Sequence, residues 1–550
     1  DLEDQFEELH VGAIILAPGF DEFDPKPMKR FGYGTYKNVV TSIEFERILS
    51  ASGPYSGKIL RPSDGDVPVK IAFLQCIGSR DFNEGKPYCS SVCCMYTAKE
   101  AVIAKEHMHQ VHPTIFTMDI RAYGKDFDKY IDNAQEEYGV RYIRSRISSI
   151  SEIPETQDLK LIYEAENGEI VEEIFNMVVL SVGLNPPNDA EYLSEKFGVE
   201  LNEFGFVKTQ IFNPVQTTRP GIYACGAFQS PKDIPETVTQ ASAAAGCVNQ
   251  LLYDQVGTLI TEKTLPPEIY VGGQPPRIGV FICHCGINIG GYVDVPEVTK
   301  YASSLPNVVL ADRNLYTCSA DTQTIIKEKI EEYHLNRVIV ASCTPRTHEP
   351  LFQETIREAG LNRYLFQMAN IRDQCSWVHM NQPEKATQKA KDLVRMAVNK
   401  ARNIEPLELI KLKVTPKAMV IGGGISGMTA ALNFASQEFE TYLVEKKDVL
   451  GGHARNIYTT LEGGDVQEQL TEMIGKVKSN ENIHLFTQAE IQKIDGYIGN
   501  FKSHVIHGEN KEDAEFEHGV VILATGAKEY KPQEYLFGKD VKVISQSELE

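Results

Sequence analysis

No apolar run in this chain is long enough to cross a bilayer. Stretches such as "VGAIILA" and "RVIVAS" are strand-length, well short of the roughly 18 residues a membrane helix needs. A basic excess is missing too. The net charge of −21 leaves little to neutralise phosphates, which argues against nucleic acid as the main partner. The acidic opening "DLEDQFEELH" has no signal-peptide pattern and no initiator Met, and it reads as part of a longer polypeptide. Cysteine is absent after Cys375, although the chain has eleven, and vicinal Cys93–Cys94 is an awkward start for a disulfide framework. Clustered thiols in an acidic chain without a leader point instead to metal or redox chemistry in the cytoplasm. What is present, 42% hydrophobic and 24% charged residues over 550 positions, suits a globular protein of three or four domains.

Strand and helix patterns alternate through three blocks, giving an α/β class. The first block, 1–255, opens with the buried strand "VGAIILAPGF" and its Pro-Gly turn. An insertion at about 65–180 follows, in which "VKIAFLQC", "CMYTAKEAVIAKEH" and "PTIFTMDI" form a βαβ unit. Strand "GIYACGAF" and the small-residue helix "ETVTQASAAAGCVNQLL" close the block. After a Pro- and Gly-rich linker, 275–380 alternates four strands with helices, the pattern of a small doubly wound α/β domain. Residues 381–415 read as a linker helix. The third block, 416–550, ends soon after "GVVILATGAKEY", which echoes the "VGAIILAPGF" that begins the first. Block one therefore reads as the back of a flavoprotein module and block three as the front of one. Two tandem copies explain this; a single permuted module is the alternative.

The strongest nucleotide signal is Gly422-x-Gly424-x-x-Gly427, directly after strand "AMVI" and opening a helix, with Glu445 ending the next strand. The first Gly makes the turn, the second admits the pyrophosphate and the third allows close helix–strand packing. The helix N-terminus faces the phosphates and the acidic residue takes the ribose hydroxyls. "GGHARN" adds Gly451, Gly452 and Arg455, and "ILATGA" adds Ala524, Thr525 and Gly526. That combination favours FAD over NAD. Gly226, Ala227 and Gln240 in "GIYACGAFQSPKDIPETVTQ" read as the closing FAD segment, although Ala227 stands where an acidic residue is usual.

In flavoproteins of this type the inserted domain starts with a strand, a Gly fingerprint and a helix that bind NAD(P)H. Here the fingerprint is replaced by Cys76-x12-Cys89-x3-Cys93-Cys94. Four thiolates at a strand end and a helix start suit a [4Fe–4S] cluster, with a Zn(Cys)4 site or inert buried thiols as alternatives. Lys99, five positions past Cys94, is a candidate cation near cluster or flavin, against the plainer reading of a solvated helix lysine. In the second block Cys283, Cys285, Cys318, Cys343 and Cys375 all follow strands. They share the carboxyl rim where sites collect in an open sheet, enough for a second cluster with one cysteine to spare. His284, His348 and His379 lie in the same segments, as turn residues or as donors to sulfur. Cys225 and Cys247 read as packing residues.

"VFICHCGINIGGYVDV", "MANIRDQCSWVH", "KATQKAKDLVRMAV", "GGGISG" and the Cys-x12-Cys-x3-Cys-Cys spacing resemble the HdrA-like family, the flavin and iron–sulfur subunits of heterodisulfide reductase, along essentially the whole chain. The resemblance implies thioredoxin-reductase-like two-dinucleotide-binding flavoprotein modules flanking the α/β domain, FAD, and two [4Fe–4S] clusters in this chain. It also implies a cytoplasmic complex with heterodisulfide reductase B- and C-like subunits, a hydrogenase or formate dehydrogenase as electron input, ferredoxin, and a homodimer of the HdrA-like chains. Electron bifurcation is the family's further implication. The chain departs from the family in lacking C-x2-C-x2-C-x3-C-P ferredoxin motifs, in carrying "TTLEGGDVQEQLTEMIGKV" where many members have cysteines, and in its rotated module order. Two other functions compete: an independent FAD-dependent pyridine-nucleotide disulfide reductase, which a redox-active C-x-x-C would favour but none exists, and a zinc-stabilised nucleotide-binding scaffold.

Overall fold

The computed structural model describes residues 7–261 and 263–550. They form two compact units, one from residues up to Thr258 together with Leu412–Glu550, the other from Leu259–Lys411.

In the second unit a parallel sheet runs in the order Val308–Asn314, Ile278–Cys283, Arg337–Ser342, Phe366–Asn370. The two central strands, "IGVFIC" and "RVIVAS", are buried throughout, as strands covered on both faces must be. Val280, Ile282, Ile339 and Ala341 face one core, while Phe281, Val338 and Val340 face the other. The helix Pro383–Ala401, expected as a linker, belongs to this unit instead. Its Ala386, Ala390, Val394, Ala397, Val398 and Ala401 complete the first core.

The first unit holds a five-stranded parallel sheet in the order Val39–Thr41, Met177–Val182, Lys70–Ile77, His112–Thr117, Arg141–Arg144. Helices including Ser42–Leu49 and Cys93–His107 cover one face, and an antiparallel meander covers the other through Leu159, Leu161 and Phe175. The sheet takes in Val39–Thr41, so this layer begins upstream of the expected boundary near 65. Two shorter parallel arrangements complete the unit. Ile14–Leu16 pairs with Ile222–Ala224, and Lys417–Ile421 lies between Glu440–Val444 and Val520–Leu523. Helices Ile234–Leu251 and Ile425–Ala435 pack together, with Asn433 beside Gly246. Nearby, Tyr253 Oη donates to Glu438 Oε2 at 3.3 Å. Among the described residues no helix is long and apolar enough to cross a membrane.

Candidate redox and dinucleotide sites

Strand Lys417–Ile421 delivers the Gly-rich loop, and Gly424 is the N-cap of helix Ile425–Ala435. Gly422 has φ +110°, and a Cβ there would overlap the Ala524 carbonyl oxygen; one on Gly427 would overlap that of Gly422. A Cβ on Gly424 would meet no atom within 4 Å. The first and third glycines are thus demanded by packing, and the second faces open space of the kind a pyrophosphate occupies. Gly451 closes over the loop, donating its N–H to Gly423 O at 2.8 Å, and Gly452 lies against Gly424. Glu445 is buried; it accepts Gly423 N–H at 2.6 Å and Lys447 N–H at 2.7 Å, one on each oxygen. Each oxygen keeps acceptor capacity for a ribose hydroxyl. Arg455 is turned to backbone, with Nη1 donating to Leu450 O at 3.0 Å. Ala524 N–H donates to Ile421 O at 2.8 Å, and Thr525 leads into Gly526 at φ +67°. These residues fit a dinucleotide such as FAD.

A cavity of about 710 Å³ opens beside the closing segment, walled mostly by apolar atoms of Phe20, Met95, Tyr96, Val182, Ala227 and Ile234. Gly226, at φ +74°, lines it too, and its N–H donates to Gln240 Oε1 at 2.7 Å. Gln240 therefore holds the turn from behind and does not itself line the cavity. The helix Ile234–Leu251 starts at the cavity, capped by Asp233 with Glu236 in a reciprocal capping box. Lys232, which sequence reasoning missed, also lines it. Its Nζ donates to Gly226 O at 2.9 Å and Ser230 O at 2.7 Å, and burial pulls its pKa down to about 8. The cavity's size and apolar walls suit a flavin ring. No residue of 416–550 lines it.

Strand Lys70–Ile77 ends in a register shift, where Cys76 takes φ +61°, a left-handed conformation costly for a non-glycine residue. Cys93 and Cys94 open the helix Cys93–His107. Burial pushes the Cys76 thiol up to about 11 and raises Cys93 and Cys94 as well. For Cys93, the nearby Cys76, Cys94 and Cys89 add to the push, which places the four sulfurs in one electrostatic neighbourhood. Backbone N–H groups already point at two of them, Arg121 at Cys94 Sγ (3.3 Å) and Ser91 at Cys89 Sγ (3.4 Å). Gln75 Oε1 accepts from Cys94 Sγ at 3.5 Å, while the buried Gln75 Nε2 has no partner. Unspent donors beside clustered thiols suit sulfide or thiolate acceptors. Arg80, paired with Asp119, is a cation that interacts electrostatically with Cys76 and Cys89. Lys99 is ion-paired with Glu46, Nζ lying 2.8 and 2.7 Å from its two oxygens. The neighbouring Glu100 carboxyl is held well above the usual range, by burial first and Glu46 second.

In the second unit Cys283, Cys285, Cys318 and Cys343 follow three adjacent strands at the carboxyl rim. Cys285 has φ +45°, and Cys283 Sγ accepts N–H from Cys285 at 3.2 Å and from Thr317 at 3.4 Å. Burial raises the Cys318 thiol, with Cys283 and Cys285 adding, and raises Cys343. Cys375 is different. A π-helical turn at Arg372–Ser376 directs it into the core, where it is fully buried and donates to Ala386 O at 3.1 Å. It thus stands apart from the other four cysteines of this unit. The same turn brings Arg372 to the rim, Nη1 lying 3.6 Å from Cys285 Sγ. Arg372 Nε and Thr317 Oγ1 are buried without hydrogen-bond partners, Nε being ion-paired with Asp373 Oδ2 at 3.4 Å. His284, His348 and His379 make no ring hydrogen bond to sulfur among the described residues; His348 packs on Phe352 instead. All eleven cysteines are free thiols. Among the described residues no three His, Cys, Asp or Glu side chains are close enough to hold a single ion. A four-iron cluster asks for wider spacing, because each thiolate binds its own iron.

Residues 90–245 and 416–548, together just over half of the chain, match the family model described as pyridine nucleotide-disulphide oxidoreductase. The chain belongs to that family. It is thus an oxidoreductase of the two-dinucleotide flavoprotein class, and its parallel sheets and Gly-rich loop agree with that class. Over 229 residues it is 53% identical to the second HdrA-type iron-sulfur protein of the CoB–CoM heterodisulfide reductase of Methanopyrus kandleri, covering 42% of this chain and 35% of that protein. Over 230 residues it is 52% identical to the HdrA-type chain of the H(2):CoB-CoM heterodisulfide,ferredoxin reductase of Methanothermobacter marburgensis, with the same two coverages, 42% and 35%. The matched part is HdrA-like, and it spans about a third of the length of these relatives. Among solved structures, T. acidophilum thioredoxin reductase aligns at a TM-score of 0.30 with 18% identity, over 45% of this chain and 67% of that one. The assignment to this oxidoreductase family rests on the family match and not on that alignment.

Proposed function

We propose that this chain is the electron-transferring part of a redox subunit that couples FAD to two [4Fe–4S] clusters. Bound FAD would supply two-electron chemistry with one-electron release, and each cluster would carry single electrons. The chain's own residues bind and orient. Gly422, Gly424, Gly427 and Glu445 hold one dinucleotide's phosphates and ribose, and the Gly226 turn with Lys232 frames a ring-sized cavity. Cys76, Cys89, Cys93 and Cys94 take one cluster, and Cys283, Cys285, Cys318 and Cys343 the other. Tyr96 and Met95, on the helix that Cys93 and Cys94 begin, also line the cavity, so a cluster would lie a short step from the ring. That shared helix is the observation that carries the reading: cysteines occupy the place where a pyridine nucleotide would dock, turning a reductase module into a relay. Lys99, on the same helix and paired with Glu46, is proposed to adjust the charge near the cluster or the flavin.

The names of the relatives support a multi-subunit complex with heterodisulfide reductase-type partners and ferredoxin, and the proposal extends to a cytoplasmic location and, in its fullest form, to bifurcation. Anaerobic reconstitution tests the core of it. About eight irons and matching acid-labile sulfide per chain are expected, and Cys93→Ser should remove about half of each while FAD content holds. Zinc without sulfide, or a Cys93→Ser protein with full iron, would refute it.

A further inference from the structure

The two cysteine groups differ in the cation beside each. Beside Cys76 and Cys89 stands Arg80, whose guanidinium is already engaged by Asp119 through two hydrogen bonds. Beside Cys285 stands Arg372, which donates directly to the sulfur at 3.6 Å and keeps a buried Nε with no hydrogen-bond partner. Its guanidinium also lies 4.8 Å from the ring of Trp377, the single tryptophan of the chain. Asp373 Oδ2 is ion-paired with Nε at 3.4 Å, and neither atom makes a hydrogen bond.

We infer that Arg372 is a positioning residue that sets the reduction potential of the group held by Cys283, Cys285, Cys318 and Cys343. The inference rests on the reading that these four thiols carry a cluster. Uptake of one electron would make a cluster held there one unit more negative, with no bond broken and no proton moved. A fixed guanidinium donating to one of its sulfurs therefore favours the reduced form and raises the potential. Stacking on Trp377 holds the fork in place and limits its approach to water. Asp373 works against it, drawing the charge back. The first group, whose cation is spent on Asp119, lacks this device.

The test is an EPR-monitored redox titration of the reconstituted full chain. Arg372→Gln should move one cluster's midpoint to more negative potential and leave the other unchanged, with iron and sulfide at the parent level. Arg372→Lys should restore part of the shift, and Asp373→Asn should move the same midpoint the opposite way. Trp377 emission identifies the affected centre: it should be quenched by cluster loading in the parent and in Cys93→Ser, but not in Cys285→Ser. A fully loaded Arg372→Gln protein with an unmoved midpoint, or an Asp373→Asn protein shifted in the same direction as Arg372→Gln, overturns the inference. Should Arg372→Gln fail to load, the Asp373→Asn arm decides alone. A Cys285→Ser protein that keeps all its iron overturns the cluster assignment beneath it, a separate failure.

Discussion

Gly424 and Gly427 lie one helical turn apart and answer to opposite constraints. A Cβ on Gly427 would drive into the Gly422 carbonyl, whereas one on Gly424 would enter open space. Gly424 has φ −77° and ψ −176°, which alanine adopts without strain. Gly424→Ala should therefore leave the thermal stability of the flavin-free protein within about 0.5 kcal/mol and cut flavin affinity by roughly tenfold or more. Gly427→Ala should cost about 1–3 kcal/mol of stability before flavin binding is considered. Calorimetry on the deflavinated proteins separates the two, and equal destabilisation would show that the open space is not reserved for a ligand. Lys232 carries a pH signature. Its pKa is lowered from 10.5 to about 8 by burial, so the folded state loses its proton before the unfolded state does. The penalty for burying its charge is complete below pH 8 and gone above 10.5. Stability should rise with pH across that window, and Lys232→Met should flatten the rise in denaturant titrations.

At the scale of elements, the parts that could be read in advance were those with local punctuation. The strand–Gly-loop–helix at 417–435, the βαβ unit and the alternation of the second unit each announce themselves through apolar strands, glycine turns and helical spacing. The helix Pro383–Ala401 was equally visible, but its role was not. Its buried face is largely alanine, so lysines dominate the pattern and the helix reads as a solvated linker. Val394→Ala should cost about 2 kcal/mol in chemical denaturation if this helix is core, and under about 0.5 if it is a linker. The cysteines were legible as two groups, while the orientation of their thiols was not, because it depends on irregular backbone. Left-handed residues at Cys76 and Cys285 and the π-helical turn at Arg372–Ser376 decide which sulfurs turn inward. That turn exchanges Cys375 for Arg372 at the rim, and no spacing rule in "NIRDQCSW" reports it.

For the whole molecule the deciding feature is one strand that occurs twice. "AIILAPG" and "VVILATG" have the same pattern, each running parallel to its neighbour and ending in a glycine turn. Among the described residues Ile14–Leu16 pairs only with the closing strand Ile222–Ala224, and Val520–Leu523 only with the Gly-loop strand Lys417–Ile421. A single strand could pair with both neighbours in one sheet. Here each copy leaves an edge open, with Ile15 41% and Leu523 75% exposed, and the ring-sized cavity takes no residue from the dinucleotide half. An apolar edge of this kind calls for a partner strand. Two modules, each contributing one half to this chain, would account for the duplication; a single permuted module would account for the packing of helix Ile234–Leu251 on Ile425–Ala435. Flavin counting distinguishes them. At limiting FAD, Gly424→Ala leaves the weakened dinucleotide half empty, and Thr237→Phe fills the cavity half. With two modules, the intact polypeptide should bind two FAD, each variant should retain one, and the double variant none. In a single permuted module either variant alone removes the only flavin, so a Gly424→Ala protein stripped of all FAD would refute the tandem arrangement.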